Sequence, residues 1–411
     1  MNSTRINGDR LWDSIMEMGR HGALPNGGCR RLALTEEDKM GRDLFVRWAK
    51  EAGCTVSVDE VGNIYARRNG QDPDLPAVAT GSHLDTQPHG GRFDGIYGVL
   101  AGLEVVRAMN DNNVRTQKPV DVIVWTNEEA ARFSPPLTGS QVFAGKLETE
   151  DVHRTLTSDG AMVKDELVDI GYHGSEIPGS RKLDSFIEAH IEQGPVLEKE
   201  AKTIGVVDCI QGAFAAEVTL AGEDGHAGTV QLDMRRDACL GAAEMIVFLN
   251  RLATDTDDLV KMTVGTLKIN PNSISTIPGQ AYFTIDCRHP DWAILRSLRT
   301  RVERGLAEIA GNHALGLEFR ILIEKQPVRF DQNIVSIIEQ ATKKLAYPHK
   351  RMLSGAGHDA MNIADRAPTA MIFIPCKNGI SHNEAESASP SDVAAGANVL
   401  LHAVIELAGV V

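Results

Sequence analysis

The chain has 411 residues, enough for two or three domains with substantial cores. At 42% hydrophobic and 24% charged it has the balance of an ordinary soluble protein. Its net charge of −14 argues against nucleic acid as the main partner, and the absence of any run approaching 18 apolar residues argues against a membrane span.

No apolar run follows Met1-Asn2-Ser3-Thr4-Arg5, so no signal peptide is expected. Cys29, Cys54, Cys209, Cys239, Cys287 and Cys376 stand singly, which indicates neither a disulfide framework nor a cysteine zinc site. A reducing cytoplasm is the expected compartment.

Residues 11–53 read mostly as helix, and Val56 to Arg67 alternates like a strand. Ala77-Val78-Ala79-Thr80 reads as a buried strand leading into Gly81 and His83. After Gly95, Ile96, Val99, Leu100, Leu103, Val106 and Met109 recur at helical spacing. Val120 to Trp125 is a second buried strand, ending at Asn127-Glu128-Glu129. His190 follows Phe186-Ile187-Glu188-Ala189, and His382 comes soon after Met371-Ile372-Phe373-Ile374. Strands alternating with helices imply a largely parallel sheet flanked by helices, with any site at the carboxyl ends of the strands.

The stretch 213–326 reads differently. A strand through Ala216, Val218 and Leu220 precedes a helix from Ala238 to Leu252. Strands at Met262-Val264-Leu267 and Ala281-Phe283-Ile285 follow, then a helix from Trp292 to Ile309 and a strand from Leu317 to Ile323. That βαββαβ order is ferredoxin-like. It predicts an inserted domain at 213–326 within a discontinuous one formed by 1–212 and 327–411. The second part of the latter adds a helix at 332–345, a strand at 369–375 and a helix at 390–408.

His83, Asp94, Glu128-Glu129, His190 and His382 each fall at a predicted strand end. Histidine and carboxylate without cysteine are the ligand types of a two-metal hydrolytic site, where one carboxylate bridges two ions. The glycines at 90, 91 and 95 allow His83 and Asp94 to converge, though the stretch alone reads more readily as a glycine-rich turn with polar surface residues. Asp85 is placed to take the second imidazole N–H of His83. Glu128 and Glu129 repel unless a cation compensates them; in a metal site one binds and the other stays free as base. His21, His153, His173, His313, His349 and His402 read as surface bystanders.

Ten segments carry a resemblance over nearly the whole length: Gly81-Ser82-His83-Leu84-Asp85-Thr86, Gly91-Arg92-Phe93-Asp94-Gly95, Thr126-Asn127-Glu128-Glu129, His190-Ile191-Glu192-Gln193-Gly194-Pro195, Gly225-His226-Ala227-Gly228, Asp233-Met234-Arg235-Arg236-Asp237-Ala238, Ile277-Pro278-Gly279, Asp286-Cys287-Arg288-His289-Pro290, the run from Ser354 to Ala360, and Ser381-His382-Asn383-Glu384. The chain resembles the M20-type metallopeptidase superfamily, in its hydantoinase/carbamoylase branch of N-carbamoyl-L-amino acid hydrolases, β-ureidopropionases and allantoate amidohydrolases.

The resemblance implies that Asp94 bridges two divalent ions, zinc first by ligand type, with manganese, cobalt and nickel open. His83 and His190 complete one site, Glu129 and His382 the other, and Glu128 is the general base. His226, supplied across a homodimer, lies near the oxyanion. Arg288 holds the substrate carboxylate, and Gln193, Gly357 and His358 contact substrate. The inserted domain is a lid and dimerisation domain. The implied reaction hydrolyses an N-carbamoyl amino acid to amino acid, carbon dioxide and ammonia. An allantoate amidohydrolase, an M20 aminopeptidase or dipeptidase, and a non-catalytic binding homologue are the alternatives.

The chain departs from the family pattern at three places. Ser275 stands where the family commonly has asparagine, with Asn272 a substitute. Val230-Gln231-Leu232 replaces a T-P-M-like turn. Ala130 stands where glycine is common.

Overall fold

A computed structural model describes residues 4–411. The chain divides into two compact units, one of Met1–Asp208 with Arg329–Val411, the other of Cys209–Val328.

The first unit is mixed α/β. Four buried strands, Val120–Trp125, Ala77–His83, Leu183–Ile191 and Thr369–Ile374, lie side by side and parallel at the centre of a nine-stranded sheet among the described residues. Parallel strands covered on both faces must be apolar throughout, and all six residues of Val120–Trp125 and of Thr369–Ile374 are buried. Antiparallel partners flank them, with Ile64–Arg68 beside Val120–Trp125 and Ile204–Ile210 beside Thr369–Ile374.

Helices Ile96–Asp111 and Pro390–Ala408 pack against the sheet. The second begins where Ser389 accepts from Asp392 N and proline occupies the first turn, two start signals readable in sequence. Pro390–Ala408 is long and apolar enough to cross a membrane, but most of it is buried inside the protein.

Two predicted elements of the first unit are divided in the structure, and in the second unit the strand predicted through Met262-Val264-Leu267 is two, Lys261–Thr263 and Leu267–Asn270. The helical stretch 11–53 is two helices, Gly8–Met18 and Glu36–Glu51, separated by a loop containing Pro25, Gly27 and Gly28. Arg31 anchors that loop. Fully buried, it donates to the carbonyls of Leu84 (2.7 Å), Met18 (2.9 Å) and His21 (2.8 Å), stitching the loop to the end of the His83 strand. The strand predicted over 56–67 is a hairpin of Thr55–Val58 and Ile64–Arg68, broken by a turn that Asp59 holds through the N–H groups of Val61 and Asn63. His153 is buried rather than on the surface; its Nε2 donates to Glu60 O at 2.9 Å, and its ring packs 5.2 Å from that of His173.

The second unit is the βαββαβ sandwich. Its antiparallel sheet runs Leu267–Asn270, Gln280–His289, Gly212–Ala221, Gly316–Lys325, with Lys261–Thr263 also pairing with Gln280–His289. Helices Ala238–Thr254 and Trp292–Asn312 cover one face, each capped by an aspartate, Asp237 or Asp291. Alternate strand residues such as Phe214, Val218, Phe283 and Ile285 enter the core with Leu249 and Leu298.

Candidate metal centre

The site of the first unit lies at the carboxyl ends of the four central strands. His83 is the last residue of its strand, pairing with Trp125, and His190 sits one residue before the end of Leu183–Ile191, pairing with Phe373. Glu128 and Glu129 follow Trp125, while His382 reaches in from a loop with its own backbone left-handed at φ +53.

Asp94 is the common point. Its Oδ1 lies 3.1 Å from His190 Nε2 and 3.7 Å from His83 Nε2, and its Oδ2 lies 3.5 Å from His382 Nε2. Glu129 Oε2 stands 3.3 Å from the same His382 nitrogen. The result is two groups, His83–Asp94–His190 and Asp94–Glu129–His382, each with ligand atoms close enough for one ion. The first is buried, and the second is open at His382, whose side chain is 50% exposed. A third group, Glu188–His190–His358, meets the same distance test. Glu188, however, already accepts from Ser82 Oγ (2.6 Å) and Ala360 N (2.8 Å), so it clamps two segments rather than offering a free carboxylate.

The donor set fits a metal. His83 and His190 both give their Nδ1–H to backbone carbonyls, Asp85 O at 2.8 Å and Ile191 O at 3.0 Å, which turns an Nε2 lone pair toward Asp94. A lone pair facing a carboxylate oxygen needs a cation or a proton between them. Without metal, burial opposes protonation of His190, but the Asp94 contact overrides it and raises the ring to about 9. Burial lowers His83 to about 4, keeping it neutral. Glu128 and Glu129 are raised well above the ordinary carboxylate range, first by burial and then by Glu129 and Asp94 respectively. Divalent charge would relieve that repulsion and displace the proton on His190.

Asp85 orients His83 by a different group from the one the sequence suggests. Its carbonyl, not its carboxylate, takes the imidazole N–H. The carboxylate instead accepts from the N–H groups of Glu128 (3.3 Å) and Glu129 (3.2 Å), fixing the turn that separates them. Glu128 Oε2 consequently lies 3.6 Å from His83 Nε2 while Glu129 points to His382. Ala130 continues this turn at φ +51, a conformation that favours glycine and accounts for the family's usual residue there.

Other side chains secure Asp94. Glu386 Oε1 accepts from Phe93 N (2.9 Å) and Asp94 N (3.1 Å), and its Oε2 lies 3.0 Å from Ser381 Oγ, which donates to Asp94 Oδ2 at 2.6 Å. Gly91 is required because a side chain there would collide with Glu386, and Gly95, at φ +69, because one would collide with the His83 ring. Gln87 Nε2 donates to Glu129 Oε2 at 2.8 Å. No motif or spacing assigns a role to Glu386 or Gln87. Gln87 stands two residues beyond Asp85, but Glu386 is nearly 300 residues from Asp94 and carries no spacing signal. Replacing Glu386 by alanine is expected to weaken metal binding about 10–100-fold in a chelator competition. Glutamine, which keeps an acceptor for the two N–H groups, should retain most of the affinity.

Of the expected substrate contacts, Gln193 donates to Asp94 Oδ2 at 2.7 Å. His358 is buried, with its ring 4.5 Å from His190 and its Nε2 3.1 Å from Ser354 Oγ, while Gly357 is exposed. The second unit gathers the others. Strand residues Thr276 and His226 pair, and Ala227 N donates to Ser275 O at 2.9 Å, so Ser275 and His226 share one ribbon. Exposed Asn272 lies on the same loop. His226 Nδ1 accepts from Gly228 N at 3.1 Å, which leaves the proton on Nε2.

Residues 79–406 match the profile of peptidase family M20/M25/M40. The chain is 45% identical over 407 residues to an N-carbamoyl-L-amino-acid amidohydrolase of Rhizobium meliloti, covering 99% of this chain and 98% of that one. A crystal structure of an amidase of the hydantoinase/carbamoylase family from Burkholderia multivorans matches with TM-score 0.97 and 49% identity over 99% of each chain. A ureidoglycolate hydrolase of Arabidopsis thaliana is 33% identical over 409 residues, 97% of this chain and 86% of that one.

Proposed function

The chain belongs to peptidase family M20/M25/M40, in its hydantoinase/carbamoylase branch, and from that premise we propose that it hydrolyses the carbamoyl C–N bond of N-carbamoyl-L-amino acids. The observation that carries the reading is the placement of Asp94, one oxygen toward the His83–His190 pair and the other toward His382. His83, Asp94 and His190 would hold one divalent ion, and Asp94, Glu129 and His382 a second. Zinc suits this ligand set best, with manganese, cobalt and nickel compatible. Such ions, when bound, acidify water and polarise a carbonyl.

The residues then divide the work. Glu128 is left out of both ligand groups and accepts the proton of the attacking water, whose oxygen adds to the ureido carbon. His226 donates its Nε2–H to the oxyanion, reaching it from the partner subunit of a homodimer. The C–N bond to the amino-acid nitrogen breaks as Glu128 returns the proton there, and the carbamate left behind falls to carbon dioxide and ammonia. Arg288 binds the substrate carboxylate as a planar fork and so fixes the position of the ureido group. The unit Cys209–Val328 serves as lid and dimerisation domain.

A second reading, a ureidoglycolate-type substrate, is favoured by the Arabidopsis relative. Both substrates offer a ureido group and a carboxylate. A panel run on metal-reconstituted protein separates them: N-carbamoyl-L-α-amino acids, N-carbamoyl-β-alanine, ureidoglycolate, allantoate and dipeptides. The N-carbamoyl-L-amino acids are expected to give the highest kcat/KM. A preference for dipeptides, or no turnover of any ureido acid, overturns the proposal.

A further inference from the structure

His382 is held differently from the other two histidines of the centre. His83 and His190 each give Nδ1–H to a backbone carbonyl. Among the described residues no group accepts from the His382 ring except Asp94 and Glu129 themselves. The ring is half exposed, so its position depends on its loop. That loop is fixed on one side by Ser381 and Glu386, which bind the Asp94 segment. A second tie comes from outside both ligand groups: Glu384 Oε1 accepts from His89 Nδ1 at 2.9 Å. An ionised carboxylate only accepts, which puts a ring proton on Nδ1. His89 lies on the turn closed by Gly90 N donating to Gln87 O at 3.1 Å, and Gln87 is the residue that holds Glu129 Oε2. His89 is 78% exposed, but Glu384 only 20%. Gly28 packs so closely on Gly90 and Glu384 that a side chain there would collide with both. Glu384 Oε2 is buried with no hydrogen-bond partner, and among the described residues His89 is the one donor to this carboxylate.

We propose that His89 is a positioning residue for the ion of the Asp94–Glu129–His382 group: by pinning Glu384 it fastens the His382 loop to the turn that holds Glu129, and so fixes the separation of those two ligands. The inference rests on the reading of that group as an ion site. Removing His89 leaves a mostly buried carboxylate without its donor, and the loop must shift to hydrate it, taking His382 with it. The His83–Asp94–His190 group lies outside this linkage, because carbonyls hold both of its rings.

The test measures zinc binding by chelator competition in the full-length protein, comparing wild type with His89→Ala, His89→Asn, Glu384→Ala, the double alanine variant and His382→Ala. His89→Ala is expected to weaken one zinc equivalent about three- to tenfold, between the effect of an exposed ion pair and that of a buried one, and to spare the other. The zinc left in His382→Ala should have the affinity of the one that His89→Ala spares. His89→Asn, whose amide N–H can replace the ring N–H, should recover most of the loss. Glu384→Ala should match His89→Ala, and the double variant should be no weaker than either, because the two residues act as one unit. No loss in His89→Ala, equal loss at both ions, or additive losses in the double variant overturn the positioning role. A His382→Ala protein that keeps both zinc ions at wild-type affinity removes the ion-site reading itself.

Discussion

Replacing Asp94 by asparagine is expected to empty the centre of metal and to reduce turnover by on the order of a thousandfold, the several kcal/mol that metal polarisation contributes to an acyl transfer. The reasoning is geometric. Each oxygen of Asp94 serves a different group of ligands, Oδ1 toward His83 and His190 and Oδ2 toward His382. Asparagine keeps the shape but offers one neutral oxygen and an amide that repels a cation. Both groups should therefore weaken together. His83→Ala, by contrast, removes a ligand from one group only and should leave the Glu129–His382 side able to bind. Metal content per subunit, measured after equilibration and gel filtration, distinguishes the two: near zero for Asp94→Asn and about one for His83→Ala. Equal loss in both variants would show that the sites fill as a single cooperative unit, and retention of two ions in Asp94→Asn would refute the bridge.

Three of the candidate metal ligands were legible in the sequence because they sit at or just beyond strand ends, which are visible as apolar runs that stop at a polar residue. His83, Glu129 and His190 sit where such runs end, and the glycines around Asp94 announced a loop that could bring it back. The alternation in 213–326 likewise gave an antiparallel sandwich, since half-buried strands write their period directly into the residues.

What remained hidden is of two kinds. The breaks at 19–35 and 59–63 lie in stretches whose apolar content continues through them. They are made by long-range anchors, Arg31 on Leu84 and Asp59 on its own turn, that no local pattern reports. The supports of the metal ligands were hidden for the same reason. Glu386 acts on Asp94 from the far end of the chain. Asp85 lay in plain sight beside His83, but spacing alone does not say whether its carbonyl or its carboxylate would meet the ring. Two residues on, the carbonyl has the shorter reach to Nδ1, and the carboxylate is released to hold the Glu128–Glu129 turn.

That turn is the basis of the remaining large effect. Glu128→Gln is expected to lower kcat by about 10²–10⁴-fold while both ions stay bound, because glutamine fills the same space but cannot accept a proton. Two observations separate Glu128 from its neighbour. It belongs to neither ligand group that contains Asp94, and Asp85 fixes the backbone so that its carboxylate lies beside His83 rather than His382. Burial and the neighbouring Glu129 raise its carboxyl well above the ordinary range. Bound ions would pull that value down, and the limb of the pH–rate profile that rises with pH would report the base in its metal-loaded setting. In Glu128→Gln this limb should disappear from the residual activity, whereas in Glu129→Gln the dominant change should be loss of metal. A Glu128→Gln protein with two ions and near-normal kcat would reassign the base. A protein that lost its metal along with its activity would make Glu128 a ligand instead, and the division of labour between the paired glutamates would have to be redrawn.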